Sequence, residues 1–250
     1  MSEHRFETPR PVRLEIKIAA GDISIASVDG RESTVTLEGS SRAAGDTRVE
    51  LMGDRLVIEE RRKGFMSLLS GVGDHLSVRV AVPEGSRVDV ATGASDTRLD
   101  GSFASLSVAS ASGIIRHNGH LEGNASVKTA NGDVRLEHVG GDLDVKTVSG
   151  HVVAEEVEGS VSVKSVSADL YVGSVSQGKV DVHSVSGDVT LGIAEGTCID
   201  VDAGSASGEL SSEIPLSADG PEGLGDRTVV IRVNTVSGDV LVRRAELQRV

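Results

Sequence analysis

Leu143-Asp144-Val145-Lys146-Thr147-Val148-Ser149-Gly150 carries apolar residues at its first, third and sixth places and glycine at its eighth. The same pattern returns immediately. Val152, Ala154, Val157 and Gly159 repeat it, then Val161, Val163 and Val166 with Ala168 in the glycine place. Leu170, Val172 and Val175 follow, with one extra residue before Gly178, then Val180, Val182, Val185 and Gly187, then Val189, Leu191, Ala194 and Gly196. Upstream, Ala125, Val127, Ala130 and Gly132 fit, as do Val134, Leu136, Val139 and Gly141. A short period sustained in this way marks a repeat architecture. The apolar pair at places one and three has the period of a strand with one buried face. The third apolar residue and the glycine mark a corner, because glycine reaches backbone angles closed to other residues. Each nine-residue unit is therefore a strand and a turn.

Successive units differ, and the difference sets the true period. Val127-Lys128-Thr129, Val145-Lys146-Thr147, Val163-Lys164-Ser165 and Val182-His183-Ser184 are of one type; the units between them carry Glu137, Glu155, Gly173 and Gly192 instead. Like returns with like every 18 or 19 residues, so one coil holds two strands. Coils stacked through parallel pairing, about 4.8 Å apart, give a narrow parallel β-solenoid filled with Val, Leu and Ala. A three-sided solenoid would want a six-residue subperiod, which the sequence lacks. The composition agrees with a thin interior: three Phe, one Tyr and no Trp among 250 residues leave no room for a core built on aromatic rings.

The repeat extends outward. Thr235-Val236-Ser237-Gly238 copies 147–150, and looser copies are Ser110-Ala111-Ser112-Gly113, Ser205-Ala206-Ser207-Gly208 and Thr92-Gly93-Ala94-Ser95. The acidic stretch 214–226, with Pro215 and Pro221, reads as a surface loop. Strands are expected at 12–18, 22–28, 34–39, 47–51, 55–60, 76–82 and 87–91, with hairpin-like spacing. The organisation expected is an N-terminal antiparallel β region over 1–90 that caps the first coil, and a solenoid over 91–245. Arg243, Arg244, Glu246 and Arg249 supply a charged tail at the other end.

Several motifs taken together resemble a known family. They are Phe6-x-Thr8-Pro9-x-Pro11-Val12, the Gly21-Asp22-Ile23-x-Ile25 strand, Pro83-Glu84-Gly85-Ser86-Arg87-Val88, the Val-Ser-Gly-Asp-Val repeats and Glu195-Gly196-Thr197. The chain resembles a bacterial β-strand-repeat family of unknown function, DUF4097-like and labelled putative adhesin. The resemblance covers nearly the whole chain. It implies a β-solenoid-like fold without established catalytic residues.

Charge and motifs narrow the function classes. The net charge is −13, from 25 basic and 38 acidic residues. Residues 91–250 hold 12 basic and 23 acidic side chains, so the repeat lacks the basic cluster that a nucleic-acid surface requires. One cysteine, Cys198, precludes an internal disulfide and a cysteine-based zinc site. No zinc-protease, P-loop, dinucleotide or nucleophile-elbow motif occurs. His117 and His120 flank Asn118-Gly119, a turn dipeptide, which places them on a loop rather than a metal. Turns that offer one carboxylate each supply too few oxygens for calcium. Asp133, His151, Asp169 and Asp188 form one outward column, and Lys128, Lys146, Lys164 and His183 another, both read as solvated faces. Thr147, Ser149, Ser165, Ser167, Ser184 and Ser186 stack hydroxyls outward at coil spacing, expected to serve corner backbone groups rather than to organise water as in ice-binding solenoids.

No residue is assigned a catalytic, cofactor-binding or metal-ligating role, and no cofactor is expected. The reading is a non-catalytic scaffold or adhesin-like interaction protein, which binds a protein partner or itself through solenoid edges or ends. One alternative is a polysaccharide-active β-helix enzyme. Another is an envelope-stress factor touching a membrane surface through 61–71, where Arg61, Arg62 and Lys63 precede Phe65, Leu68 and Leu69; it predicts liposome binding lost on Phe65→Asp. Without a signal peptide or an apolar span, the expected location is the cytoplasm, with peripheral envelope association as an extension.

Overall fold

A computed structural model of the chain describes residues 1–40, 45–60, 76–214 and 227–245. The basic-apolar segment 61–71 and the proline-containing loop from 215 onward lie outside the described residues. The described elements are almost all strand, and they form two compact units, Met1–Gly119 and His120–Val250.

The second unit holds the repeat. Its strands are β10 (Ala125–Lys128), β11 (Val134–Val139), β12 (Leu143–Lys146), β13 (Ser149–Val157), β14 (Val161–Lys164), β15 (Ser167–Val175), β16 (Gly178–His183), β17 (Val189–Ile193), β18 (Thr197–Ser205), β19 (Leu210–Ser212), β20 (Arg227–Thr235) and β21 (Val240–Arg244). They belong to two parallel ladders, one face to each. Ala125 pairs with Leu143 and Leu143 with Val161, steps of 18 residues, while Val161 pairs with Val180, a step of 19 that absorbs the extra residue before Gly178. The other ladder runs Val134, Val152, Leu170, Val189 and Val240. All of these side chains are at most 3% exposed, so each interior position is a straight column of Val, Leu, Ile or Ala. The single aromatic residue of this unit, Tyr171, lies off these columns, between the buried Leu170 and Val172 on β15.

The order of coils at the end of this unit departs from the order of the chain. β16 pairs with β20, not β18, and β20 pairs with β18 on its other side. In the second ladder β17 pairs with β21, and β21 with β19. The last coil in sequence is thus inserted between its two predecessors. Ile231 stacks between Val180 and Val201, and Val240 between Val189 and Leu210. Ile231 and Val240 are buried, whereas Leu210 in the outer coil is 46% exposed.

The first unit uses the same device. Its strands are β1 (Ser2–Glu7), β2 (Arg13–Val28), β3 (Glu32–Glu38), β4 (Thr47–Met52), β5 (Arg55–Glu60), β6 (Leu76–Pro83), β7 (Ser86–Asp100), β8 (Phe103–Ser112) and β9 (Ile115–Leu121). The expected antiparallel pairs are present at its margin: β1 with β3, β3 with β6, and β4 with β5. Inside them β2 is a complete coil. Its first half pairs in parallel with β5 and its second with β6, and both halves pair in parallel with β7 on the opposite side. The first coil in sequence therefore also sits second in space, and parallel pairing begins at Arg13. Alternation alone could not separate these arrangements, since a half-buried strand has period two in either direction. Position 90/91, expected to divide cap from solenoid, lies within β7.

One ionic cluster crosses the first unit. Glu15, almost fully buried, receives the Arg55 guanidinium and lies 3.2 Å from Arg13, which also bonds Asp89 at 3.0 Å. The bond from Arg55 holds the Glu15 carboxyl below its ordinary range, against the opposing pull of burial. A lowered carboxyl stabilises the fold above its unfolded value of about 4.3, and this contribution disappears as pH falls through the lower folded value. Arg55→Met is therefore expected to destabilise the protein at pH 7 and to match the parent in strong acid. Urea melts at both pH values check this; a difference that stays constant with pH contradicts it.

Candidate interaction surface

Each corner of the second unit arranges the residues singled out in the sequence into columns. Along Leu143-Asp144-Val145-Lys146-Thr147-Val148 the side chains alternate strictly inward and outward. Thr147 thus points in and is 6% exposed, and its hydroxyl donates to the carbonyl of Ser149 at 2.9 Å. Ser184 makes the same bond to Ser186 at 2.8 Å and Thr235 to Ser237 at 3.3 Å. The hydroxyls of Thr147, Ser184 and Thr235 serve the corner backbone, as expected, but they point inward rather than outward.

The valine that follows points out. Val148, Val166, Val185 and Val236 are 52, 49, 51 and 54% exposed. Backbone bonds from Ser167 to Val148, Ser186 to Val166, and Ser237 to Val185 stack them coil on coil. Alanines continue the line at both ends: Ser149 donates to the carbonyl of Ala130, and Ser207 to that of Val236, which sets Ala206 beside Val236. The result is a straight apolar ridge. Reading the sixth apolar place as one class missed it, because Val139, Val157 and Val175 at the opposite corner are fully buried. The signal was available: strict alternation carried through Thr147 puts Val148 on the outside.

The acidic column has a structural task. The Asp133 carboxylate accepts the backbone N–H of His151 at 2.9 Å, Asp169 that of Asp188 at 3.0 Å, Asp188 that of Asp239 at 2.9 Å, and Asp239 that of Glu209 at 2.8 Å. Each carboxylate thereby satisfies a donor of the next coil that the turn leaves without a ladder partner. The bond from the His151 N–H, assisted by its ring, holds Asp133 below the usual carboxylate range. The His151 ring lies 3.2 Å from Asp133 and 3.5 Å from Asp169, so it separates two like charges. Asn124, Asp142 and Ser160 cap the opposite corner in the same way. Asp188→Ala is expected to cost about 1 kcal/mol and Asp188→Asn almost nothing, since the amide oxygen still accepts. Equal losses by thermal denaturation would contradict this role.

The second column, Lys128, Lys146, Lys164 and His183, is exposed and in register along β10, β12, β14 and β16. Lys128 and Lys164 have no ion-pair partner among the described residues, and Lys146 reaches Asp144 at 3.8 Å. Cys198 is buried in β18.

The histidines are placed differently from the expectation. His117 and His120 lie within β9, not on a turn. His117 is completely buried edge-on to Phe103, its Nε2 3.1 Å from the Gly101 carbonyl. The His120 ring lies tilted against that of His138, centroids 4.3 Å apart, and the ring nitrogens of His138 lie 3.1 Å from Glu156 and 3.3 Å from Glu158. Successive side chains of a strand alternate between its faces, so two residues three apart, as here, face opposite ways. Among the described residues no group of three or more His, Cys, Asp or Glu is placed to hold a metal ion, and no helix is long and apolar enough to cross a membrane.

Comparison with known proteins agrees with this architecture. A "putative lipid binding protein" from Parabacteroides distasonis aligns with a TM-score of 0.52 at 11% identity, over 96% of each chain, and is similar in fold. A "putative adhesin" from Parabacteroides distasonis aligns with a TM-score of 0.40 at 14% identity, over 97% of this chain and 96% of that one. A "putative adhesin" from Bacteroides fragilis gives 0.40 at 9% identity, over 97% and 96%. No curated protein sequence matches the chain. The family model for Toastrack DUF4097 matches residues 12–243, and the chain belongs to that family.

Proposed function

We propose that the protein is a non-catalytic, adhesin-like scaffold that presents its straight side-chain columns to a macromolecular partner. One observation carries this reading. Polar residues of the columns that could have done chemistry are engaged by the backbone: Asp133, Asp169 and Asp188 on N–H groups of the next coil, Thr147 and Ser184 on carbonyls of their own corner. A general acid or base needs a carboxyl aimed at a substrate; these are aimed at the backbone of the next coil. What remains outward is an extended and repetitive surface, which suits binding over a length rather than enclosure of a small molecule.

The experiment compares binding with turnover. Purified protein is incubated with acidic and neutral polysaccharides while reducing ends are measured, and its retention on isolated cell envelopes is measured in parallel. Retention without turnover is the expected result. Release of reducing ends that Asp169→Asn abolishes would establish the polysaccharide-active enzyme instead.

A further inference from the structure

We propose that the valine ridge joins the protein to a second copy of itself, the two ridges lying side by side about a two-fold axis that runs along them. The inference names the partner for the interaction role above and rests on that reading. It starts from the shoulders of the ridge. Passing round one corner, the chain presents Lys128, Lys146, Lys164 or His183, then Ala130, Val148, Val166 or Val185, then Asp133, His151, Asp169 or Asp188. The ridge thus has a basic shoulder on one side and a mainly acidic shoulder on the other, and the two run level with each other coil by coil.

That sidedness selects one arrangement of two copies. With the axis along the ridge, rotation exchanges left and right, so the basic shoulder of each copy faces the acidic shoulder of the other. Lys128 then lies level with Asp133, Lys164 with Asp169, and His183 with Asp188. With the axis across the ridge, acidic shoulder meets acidic shoulder and basic meets basic, and the long-range field opposes association. The apolar strip matches itself in either case, since valines recur once per coil on both copies at about 4.8 Å. Charge therefore fixes the orientation and the valines supply the contact. Lys128 and Lys164, without ion-pair partners among the described residues, gain them across the interface.

A strip one residue wide buries less than the roughly 800 Å² per partner of a standard stable interface. Association should therefore depend on concentration and weaken with salt. Sedimentation equilibrium of the full chain is expected to show an average mass that rises with concentration. Val166→Asp should lower the association constant by about tenfold or more, and Lys164→Glu should lower it at low salt only. Both residues are exposed, so unchanged melting temperatures verify that the variants fold. Orientation is read by oxidative cross-linking of single cysteines in a Cys198→Ser background. An axis along the ridge brings each position to its own copy, so Val148→Cys, Val166→Cys and Val236→Cys should all give disulfide dimers.

A monomer at every concentration overturns the proposal, and cross-links confined to the middle of the ridge overturn the orientation. A monomer that binds anionic phospholipid vesicles, and loses that binding on Val166→Asp, assigns the ridge to lipid instead. The broader reading fails separately. Envelope retention that is unaffected by Val166→Asp in a monomeric protein removes the self-contact and leaves the interaction role. A protein that dimerises through the ridge but shows no envelope retention leaves the self-contact and removes the broader role.

Discussion

Ile231→Ala is expected to cost about 2–5 kcal/mol and to loosen two coils at once, whereas Val201→Ala should cost about 1 kcal/mol. Ile231 is fully buried between Val180 and Val201, so shortening it leaves a cavity with walls above and below. Val201 occupies the same column one coil further out, where it is already part-exposed. Hydrogen exchange provides the sharper measurement. In the parent protein the amides of Arg227–Thr235 should outlast those of Thr197–Ser205, although they come later in the chain. In Ile231→Ala both groups should accelerate together, because among the described residues β18 and β19 pair with β20 and β21, and these in turn with β16 and β17. Faster exchange in β20 than in β18 would count decisively against this coil order.

Gly238→Ala should be nearly as damaging, by about 3 kcal/mol or more. Its φ is +140°, in a region that L residues scarcely occupy, and a Cβ there would stand 2.2 Å from the carbonyl oxygen of Gly187. That oxygen belongs to the backbone of the adjoining coil and cannot step aside unless the coils part. The next corner is as tight, with a Cβ on Gly208 meeting Gly238 oxygen at 1.9 Å. Gly53 is the control. It also has positive φ, +66°, but nothing lies within 4 Å of its Cβ position, so Gly53→Ala should cost only about 1 kcal/mol of backbone strain. Denaturant unfolding of the two variants separates crowding from torsion; equal losses would mean that the close approach between coils contributes nothing.

The regular part of the fold was legible because period-two residues such as Val161 and Val163, repeated every coil, fix both the buried face and the register. The inserted coils were not. Val180, Val201 and Ile231 look alike as members of one column, and nothing in a residue's own identity records which neighbour lies above it. Only the connection lengths differ: β16 and β18 are offset by 21 residues, the difference between the 51-residue pairing of β16 with β20 and the 30-residue pairing of β18 with β20. A step slightly longer than one coil is a faint signal. The aspartate caps were hidden for another reason. Asp169 and Asp188 announce charge in the sequence, while their use depends on a backbone N–H supplied by a different coil. The ridge was concealed by grouping Val148 with Val157, which share a place in the repeat and point in opposite directions.

The inserted coil also bears on how the protein is made. During synthesis β18 leaves the ribosome before β20, at a time when the edge of β16 is still vacant. Until Arg227–Thr235 emerges, neither Val180 nor Val201 has the neighbour that joins their two coils in the finished column. Completion of this unit is thus the closing of a seam by the last strands rather than outward growth one coil at a time. Messages or ribosomes that fail late would yield a protein with every earlier strand present and its seam unfilled, a product that proteases and chaperones can distinguish from the finished molecule.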